Sequence, residues 1–113
     1  MQKHAIDALK ARLLSELDDL NQGDAAGHDN QSTVVLDQQS VGRLSRMDAL
    51  QRQALAQATQ RRRNARRTRI NGALSRMKAD EFGFCEECGD DIAEARLRLD
   101  PTVTLCVECA RTR

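Results

Sequence analysis

Between Gln2 and Leu20 the apolar residues Ile6, Leu9, Leu13, Leu17 and Leu20 recur at steps of three or four, while Lys10, Arg12, Glu16 and Asp18 fall on other faces. The spacing predicts an amphipathic helix over 2–20, about 28 Å long. Alone it is marginal, so its leucines need a partner. Residues 21–32 are rich in Gly, Asn, Asp and Ser and show no periodicity, and 21–40 is therefore expected to be a flexible tip loop. Val34, Val35 and Leu36 are expected to lean back on the hairpin, and Asp37 or Ser40 to cap the next helix by accepting backbone N–H bonds.

From Val41 to Ala79 nothing interrupts a helix except the tolerated Gly42 and Gly72, so one element of about 58 Å is expected. Its inward stripe is read as Leu44, Met47, Ala54, Ala58, Ala65 and Gly72, most of them small, so that the leucines of the first helix can enter between them. Ile70, Leu74 and Met77 are then expected to pack on whatever follows. In the stretch after Ala79, Phe82 and Phe84 read as apolar plugs, with Ile92, Leu97, Leu99, Val103 and Leu105 completing a miniature core. The alternation over Arg96–Leu99 predicts a short strand, and Pro101 a turn after it.

Cysteine usage sharpens the picture of the last third. All 4 cysteines fall in two Cys-x-x-Cys pairs, Cys85/Cys88 and Cys106/Cys109, separated by residues 89–105. That interval suits a tetrahedral four-thiolate site whose first-choice occupant is zinc, and four thiolates close the shell so that the ion is structural. Gly89 supplies the freedom that a tight turn after the first pair requires. A redox-sensing thiol site and an iron site are the competing readings. A disulfide framework needs an oxidising compartment, and Met1–Asp7 shows no apolar leader, so a cytoplasmic protein is expected.

Composition agrees with helices rather than a conventional globular core: aromatic residues make up 2% of the chain, with no Trp or Tyr, and charged residues 31%. At 113 residues one domain, or a small lobe with an extended attachment, is expected. No stretch is apolar enough to cross a bilayer. The net charge of +1 conceals a division, because residues 41–80 carry eleven Arg or Lys against Asp48 and Asp80, whereas residues 81–113 carry eight carboxylates against four arginines. Within the basic part, Arg62 and Arg66, or Arg63 and Arg67, share a helix face. This stripe can meet phosphates, an acidic partner surface or carboxylates of the first helix; no aromatics are interleaved for base stacking. Asp24, Asp29, Asp37 and Asp48 are expected near the hairpin tip. His4 and His28 have no companions at ligand spacing, and no phosphate loop or nucleophile with a paired base is recognisable, so an enzyme is not expected.

The segment Asp80-Glu81-Phe82-Gly83-Phe84-Cys85-Glu86-Glu87-Cys88-Gly89, followed by Ile92, Arg96-Leu97, Pro101 and Leu105-Cys106-Val107-Glu108-Cys109, closely resembles the zinc lobe of the DksA/TraR family of bacterial transcription regulators. The resemblance implies structural zinc, bacterial RNA polymerase as the partner, and a coiled-coil tip that enters the polymerase secondary channel without direct DNA binding. Two departures stand out. Members with an Asp-x-x-Asp-x-Ala tip signature carry two acids where an ungapped count from Cys85 places Gly42-Arg43-Leu44-Ser45-Arg46-Met47, which leaves Asp37, Ser45 and Asp48 as tip candidates. The C-terminal helix with which longer members help form a guanosine tetraphosphate site is absent from this sequence, so it offers no ground to expect a response to that nucleotide.

The expected architecture is mainly α: an antiparallel helical (coiled-coil) hairpin over 1–79, followed by a four-cysteine zinc-finger lobe over 80–113. The expected function is transcription regulation through RNA polymerase, with no membrane association. The alternatives are a basic zinc-helix module that binds nucleic acid directly and a four-cysteine redox switch.

Overall fold

The computed structural model describes the backbone of residues 1–37 and 43–112 and the side chains of residues 1–24 and 45–112. It is mainly helical, with α1 (Lys3–Asp37) and α2 (Arg43–Lys78) forming the hairpin, and two short helices, α3 (Glu94–Leu99) and α4 (Val107–Thr112), in the C-terminal part. The chain divides into two compact units. One, the lobe unit, joins Met1–Leu17 to Thr68–Arg113; the other, the hairpin unit, is Asp18–Arg67.

The expected break at residue 20 is not observed, since α1 continues through 21–37 despite its Gly and Asn content. Propagating an existing helix costs little per residue, and tertiary partners override weak local propensity. Two such partners are on α2: Asn21 Oδ1 accepts from Arg67 Nε at 3.2 Å, and Asp24 Oδ1 accepts from Gln60 Nε2 at 2.9 Å. Gly23 also serves this contact, because a Cβ there would lie 3.3 Å from Arg63 Nε. The expected roles of Val34, Val35, Leu36, Ser40, Gly42 and Leu44, and the side chains of Asp29 and Asp37, lie outside the described residues.

In the hairpin unit the face that α2 turns inward differs from the expected one. Ala49, Gln53, Ala56, Gln60, Arg63 and Arg67, at alternating steps of four and three, are at least partly buried, whereas of the expected stripe Met47, Ala54 and Ala65 are exposed and Ala58 is partly buried. The seam is thus rotated by two residues, about 200° of helix, from the small-residue stripe. Four of its six positions are polar, so burial here is of side-chain stems and hydrogen-bonded heads.

The lobe unit holds the apolar core. Leu9 and Leu13 of α1 and Ile70 and Ala73 of α2 are all buried. Removing these side chains from water is the main favourable term available to so small a unit, at about 1.5–3 kcal/mol for each large side chain. Phe82, Ile92, Leu97 and Pro101 extend that core beyond α2. Two expected members are absent from it: Phe84 is 48% exposed and Leu99 82%. The second follows from a correction in local structure, because residues 94–99 form α3 and not a strand. On a helix, positions 97 and 99 point about 200° apart, so only Leu97 faces inward. An ion pair between Glu94 and Arg98 at 2.9 Å, four residues apart, supports this short helix.

Candidate metal centre

The first cysteine pair is presented by a tight loop. An antiparallel bridge between Phe84 and Asp91 closes it, Cys85 N–H donates to Asp90 O at 2.8 Å, and Gly89 N–H donates to Cys85 O at 3.0 Å. Gly89 has φ +76, a left-handed conformation that only glycine adopts without strain, and Gly83, at φ +93, lets its carbonyl accept from Ile92 N–H at 2.8 Å. Glu86 N–H donates to Thr104 O at 2.9 Å, which ties this loop to the segment leading into the second pair. There Cys106 sits at the start of α4: its carbonyl accepts from Ala110 N–H at 3.0 Å, and its sulfur accepts from Cys109 N–H at 3.5 Å.

The four sulfurs of Cys85, Cys88, Cys106 and Cys109 all lie within 4.8 Å of one another, and none is in a disulfide. Cys88 Sγ and Cys106 Sγ are 3.7 Å apart. A tetrahedron with zinc–sulfur bonds of about 2.3 Å has edges of about 3.8 Å, so the donor set fits a four-coordinate ion. Without a cation, four thiols in one volume compete for charge. Cys85 is drawn down to about 6 by N–H groups of Cys88, Cys106 and Glu87 that favour its thiolate. Cys109 is pushed up, first by its hydrogen bonds with Cys106 and Cys85 and then by burial. Cys88 is also raised: the Asp90 N–H pulls it down, but Cys85, burial and Cys106 together outweigh that pull. One thiolate is easy to form here and the last is hard, a conflict that a divalent ion resolves by compensating all four.

Around the loops, polar side chains fix how the lobe's segments meet α1 and α2. Arg12 of α1 donates to the carbonyls of Arg98 and, at 3.2 Å, Leu99, at the C-terminal end of α3, where carbonyls lack helical partners. Asp100 Oδ1 accepts from Thr102 N–H at 3.1 Å and Thr102 Oγ1 at 2.7 Å, while its Oδ2 pairs with Arg69 of α2 at 3.0 Å. Arg96 Nε donates to Leu105 O at 3.0 Å. In a cleft of about 340 Å³ that holds Arg69, Arg76 and Arg96, Arg76 Nη2 is buried without a hydrogen-bond partner. None of these roles was visible in the sequence, where Arg12 and Asp100 carry no local signal.

The other sequence candidates are dispersed. Ser45 and Asp48 are exposed in the first turns of α2, and Asp37 is the last residue of α1. The basic stripe separates into two kinds of position. Arg62 is exposed and donates to Thr59 Oγ1 at 3.1 Å, whereas Arg63, Arg66 and Arg67 are partly buried. Arg67 pairs with Asp24, one of the acids expected near the hairpin tip, as in the reading in which the stripe meets carboxylates of the first helix. Hydrogen bonding from Gln60 holds the Asp24 carboxyl below its ordinary range; burial opposes, and Arg67 and Arg63 add to the lowering.

A helical hairpin followed by a C-terminal stretch with four clustered cysteines defines a fold of the zinc-finger type. Residues 80–113 match the family described as the prokaryotic dksA/traR C4-type zinc finger. The chain is 39% identical over 41 residues to the RNA polymerase-binding transcription factor DksA of Haemophilus influenzae, covering 36% of this chain and 28% of that protein. With the protein of the same name from Caulobacter vibrioides it shares 40% identity over 55 residues, covering 49% of this chain and 39% of that one. The chain therefore spans well under half the length of these relatives. The fold is also that of transcription factor DksA2 from Pseudomonas aeruginosa, with a TM-score of 0.86 at 21% identity, covering 99% of this chain and 84% of that one. Among the described residues no helix is long and apolar enough to cross a membrane.

Proposed function

We propose that this protein is a DksA-like transcription regulator that binds bacterial RNA polymerase, with one structural zinc held by Cys85, Cys88, Cys106 and Cys109. The observation that carries the reading is the convergence of the four sulfurs within 4.8 Å inside the stretch that matches the family. Zinc, when bound, would supply the positive charge that four thiolates share and would cross-link the two cysteine-bearing loops. Cys85 and Cys88 hold it from the Phe84–Asp91 loop, and Cys106 and Cys109 from the start of α4.

In this reading residues 1–79 act as the hairpin domain and 80–113 as the lobe that orients it. The end of the hairpin enters the polymerase secondary channel, and Asp37, Ser45 and Asp48 supply its polar groups. Arg62 is the member of the basic stripe best placed to meet an acidic surface of polymerase, since it is exposed, while Arg63, Arg66 and Arg67 are partly occupied within the hairpin. The place of action is the cytoplasm, where the polymerase is.

Co-purification with core RNA polymerase tests this, comparing the intact chain with one whose residues 38–47 are replaced by a neutral loop. Binding by both, with an effect on transcription from the intact chain only, supports the proposal; no binding by the zinc-loaded intact chain contradicts it.

A further inference from the structure

The two cysteine pairs are held in place differently. The loop of Cys85 and Cys88 closes on its own backbone, through the Phe84–Asp91 bridge and the bonds from Cys85 N–H to Asp90 O and from Gly89 N–H to Cys85 O. Cys85 itself is buried. Cys106 and Cys109 instead belong to the start of α4, a helix of six residues of which none is buried. A helix of that length does not hold itself in water, and this one has no apolar anchor of its own. Its place is set by the segment that leads into it.

That segment is tied on two sides. Thr104 O accepts from Glu86 N–H at 2.9 Å, a bond that joins the two halves of the cysteine cluster to each other. Leu105 O accepts from Arg96 Nε at 3.0 Å, and this bond joins the second pair to α3. The next residue of α3, Leu97, is 1% exposed, and the N–H groups of Arg96 and Leu97 both donate to Ala93 O, which fixes the turn that carries the two side chains. Arg96 is thus the link from an exposed cysteine helix to the apolar core. It is partly buried, and a charged donor makes a stronger bond than a neutral one. The carbonyl it holds is one peptide from Cys106, so a shift of Leu105 moves a ligand sulfur directly.

We propose that Arg96 is a positioning residue of the metal centre: by holding the Leu105 carbonyl it fixes where Cys106 and Cys109 stand, and so sets how tightly the second pair closes on the ion. The inference rests on the zinc reading above. Hydrogen-bonding groups outside the ligand shell change metal affinity by about 10–100-fold when removed, which is the size of effect expected here.

Two measurements on the full chain test it. Competition with a chromogenic chelator gives the zinc affinity, and iodoacetamide labelling of the zinc-loaded chain, mapped by mass spectrometry, gives the accessibility of each cysteine. Arg96→Ala is expected to bind zinc about tenfold more weakly and to label Cys106 and Cys109 about tenfold faster than the parent, with Cys85 and Cys88 within about twofold. Arg96→Lys, which keeps a charged donor without the planar fork, is expected to recover part of both effects. Arg12→Ala is the comparison for a general loss of lobe stability, because it removes bonds to the carbonyls of Arg98 and Leu99 and leaves the Arg96–Leu105 bond in place. Folding and metal binding are linked, so any rise in its labelling should be shared by both pairs. Arg96→Ala with the affinity of the parent, or with a rise in labelling spread evenly over the four cysteines, would overturn the inference and leave the zinc reading intact. A parent chain that takes up no zinc would overturn that reading, and this inference with it.

Discussion

Arg67 of α2 and Asp24 of α1 form an ion pair at the helix–helix seam, with about a quarter of each side chain still exposed (24% and 28%). Gln60 shares the same carboxylate and Arg63 lies against Gly23, so this part of the hairpin is joined through polar heads. A polar cluster at seam positions specifies register more than it adds stability, since only one alignment of the two helices satisfies it. Replacing Arg67 or Arg63 by Ala should therefore reduce helicity and broaden the thermal transition, while Arg62→Ala, at an exposed position, should leave both unchanged; circular dichroism melts distinguish them.

The same cluster carries a pH dependence with a definite sign. Asp24 has its folded-state pKa lowered from 3.8, chiefly by the hydrogen bond from Gln60. A lowered carboxyl contributes stability in full above the unfolded value, and that contribution disappears as the pH falls through the folded value. Melts of the intact chain should thus lose stability as the pH drops below about 4. Asp24→Asn should show less of that acid loss and a lower stability at neutral pH.

Arg12 closes the C-terminal end of α3, and its loss leaves two carbonyls without that donor. Arg12→Ala should lower lobe stability by about 1–2 kcal/mol, and Arg12→Lys, which keeps the charge but not the fork, should fall between. Denaturant titration followed by amide exchange at residues 94–99 reports the change.

Burial separates two leucines of similar sequence appearance. Leu13→Ala, at a fully buried site, should cost about 2–5 kcal/mol, whereas Leu99→Ala, 82% exposed, should lie within about 0.5 kcal/mol of the parent. Urea unfolding of the two variants measures the contrast.

What could be read from the sequence depended on whether the burying residues were apolar. The leucine stripe of α1 was legible because Leu9 and Leu13 are large and buried, and the cysteine pairs were legible because metal-ligand spacing survives any fold around it. The inward face of α2 was not, because Gln53, Gln60, Arg63 and Arg67 occupy it, and an apolar count chooses the opposite, exposed face with Met47 and Ala54. Residues 21–37 were read as loop from their Gly, Asn and Asp content, yet Asn21 and Asp24 use their polarity to bind α2 from within a helix. For Arg96–Leu99 the Arg-Leu-Arg-Leu alternation matched a strand by period alone; the ion pair from Glu94 to Arg98 and the burial of Leu97 belong to a helix. The convergence of the four cysteines was therefore easier to read from spacing than the phase of a polar helix.

Metal content measured on the purified chain, with removal by a strong chelator followed by circular dichroism and amide exchange, tests the central claim most directly. The account predicts one zinc ion per chain. It also predicts that stripping the metal abolishes exchange protection in residues 82–110 and that adding zinc back restores it. A chain without stoichiometric metal, or one whose lobe stays protected after the metal is removed, would contradict it.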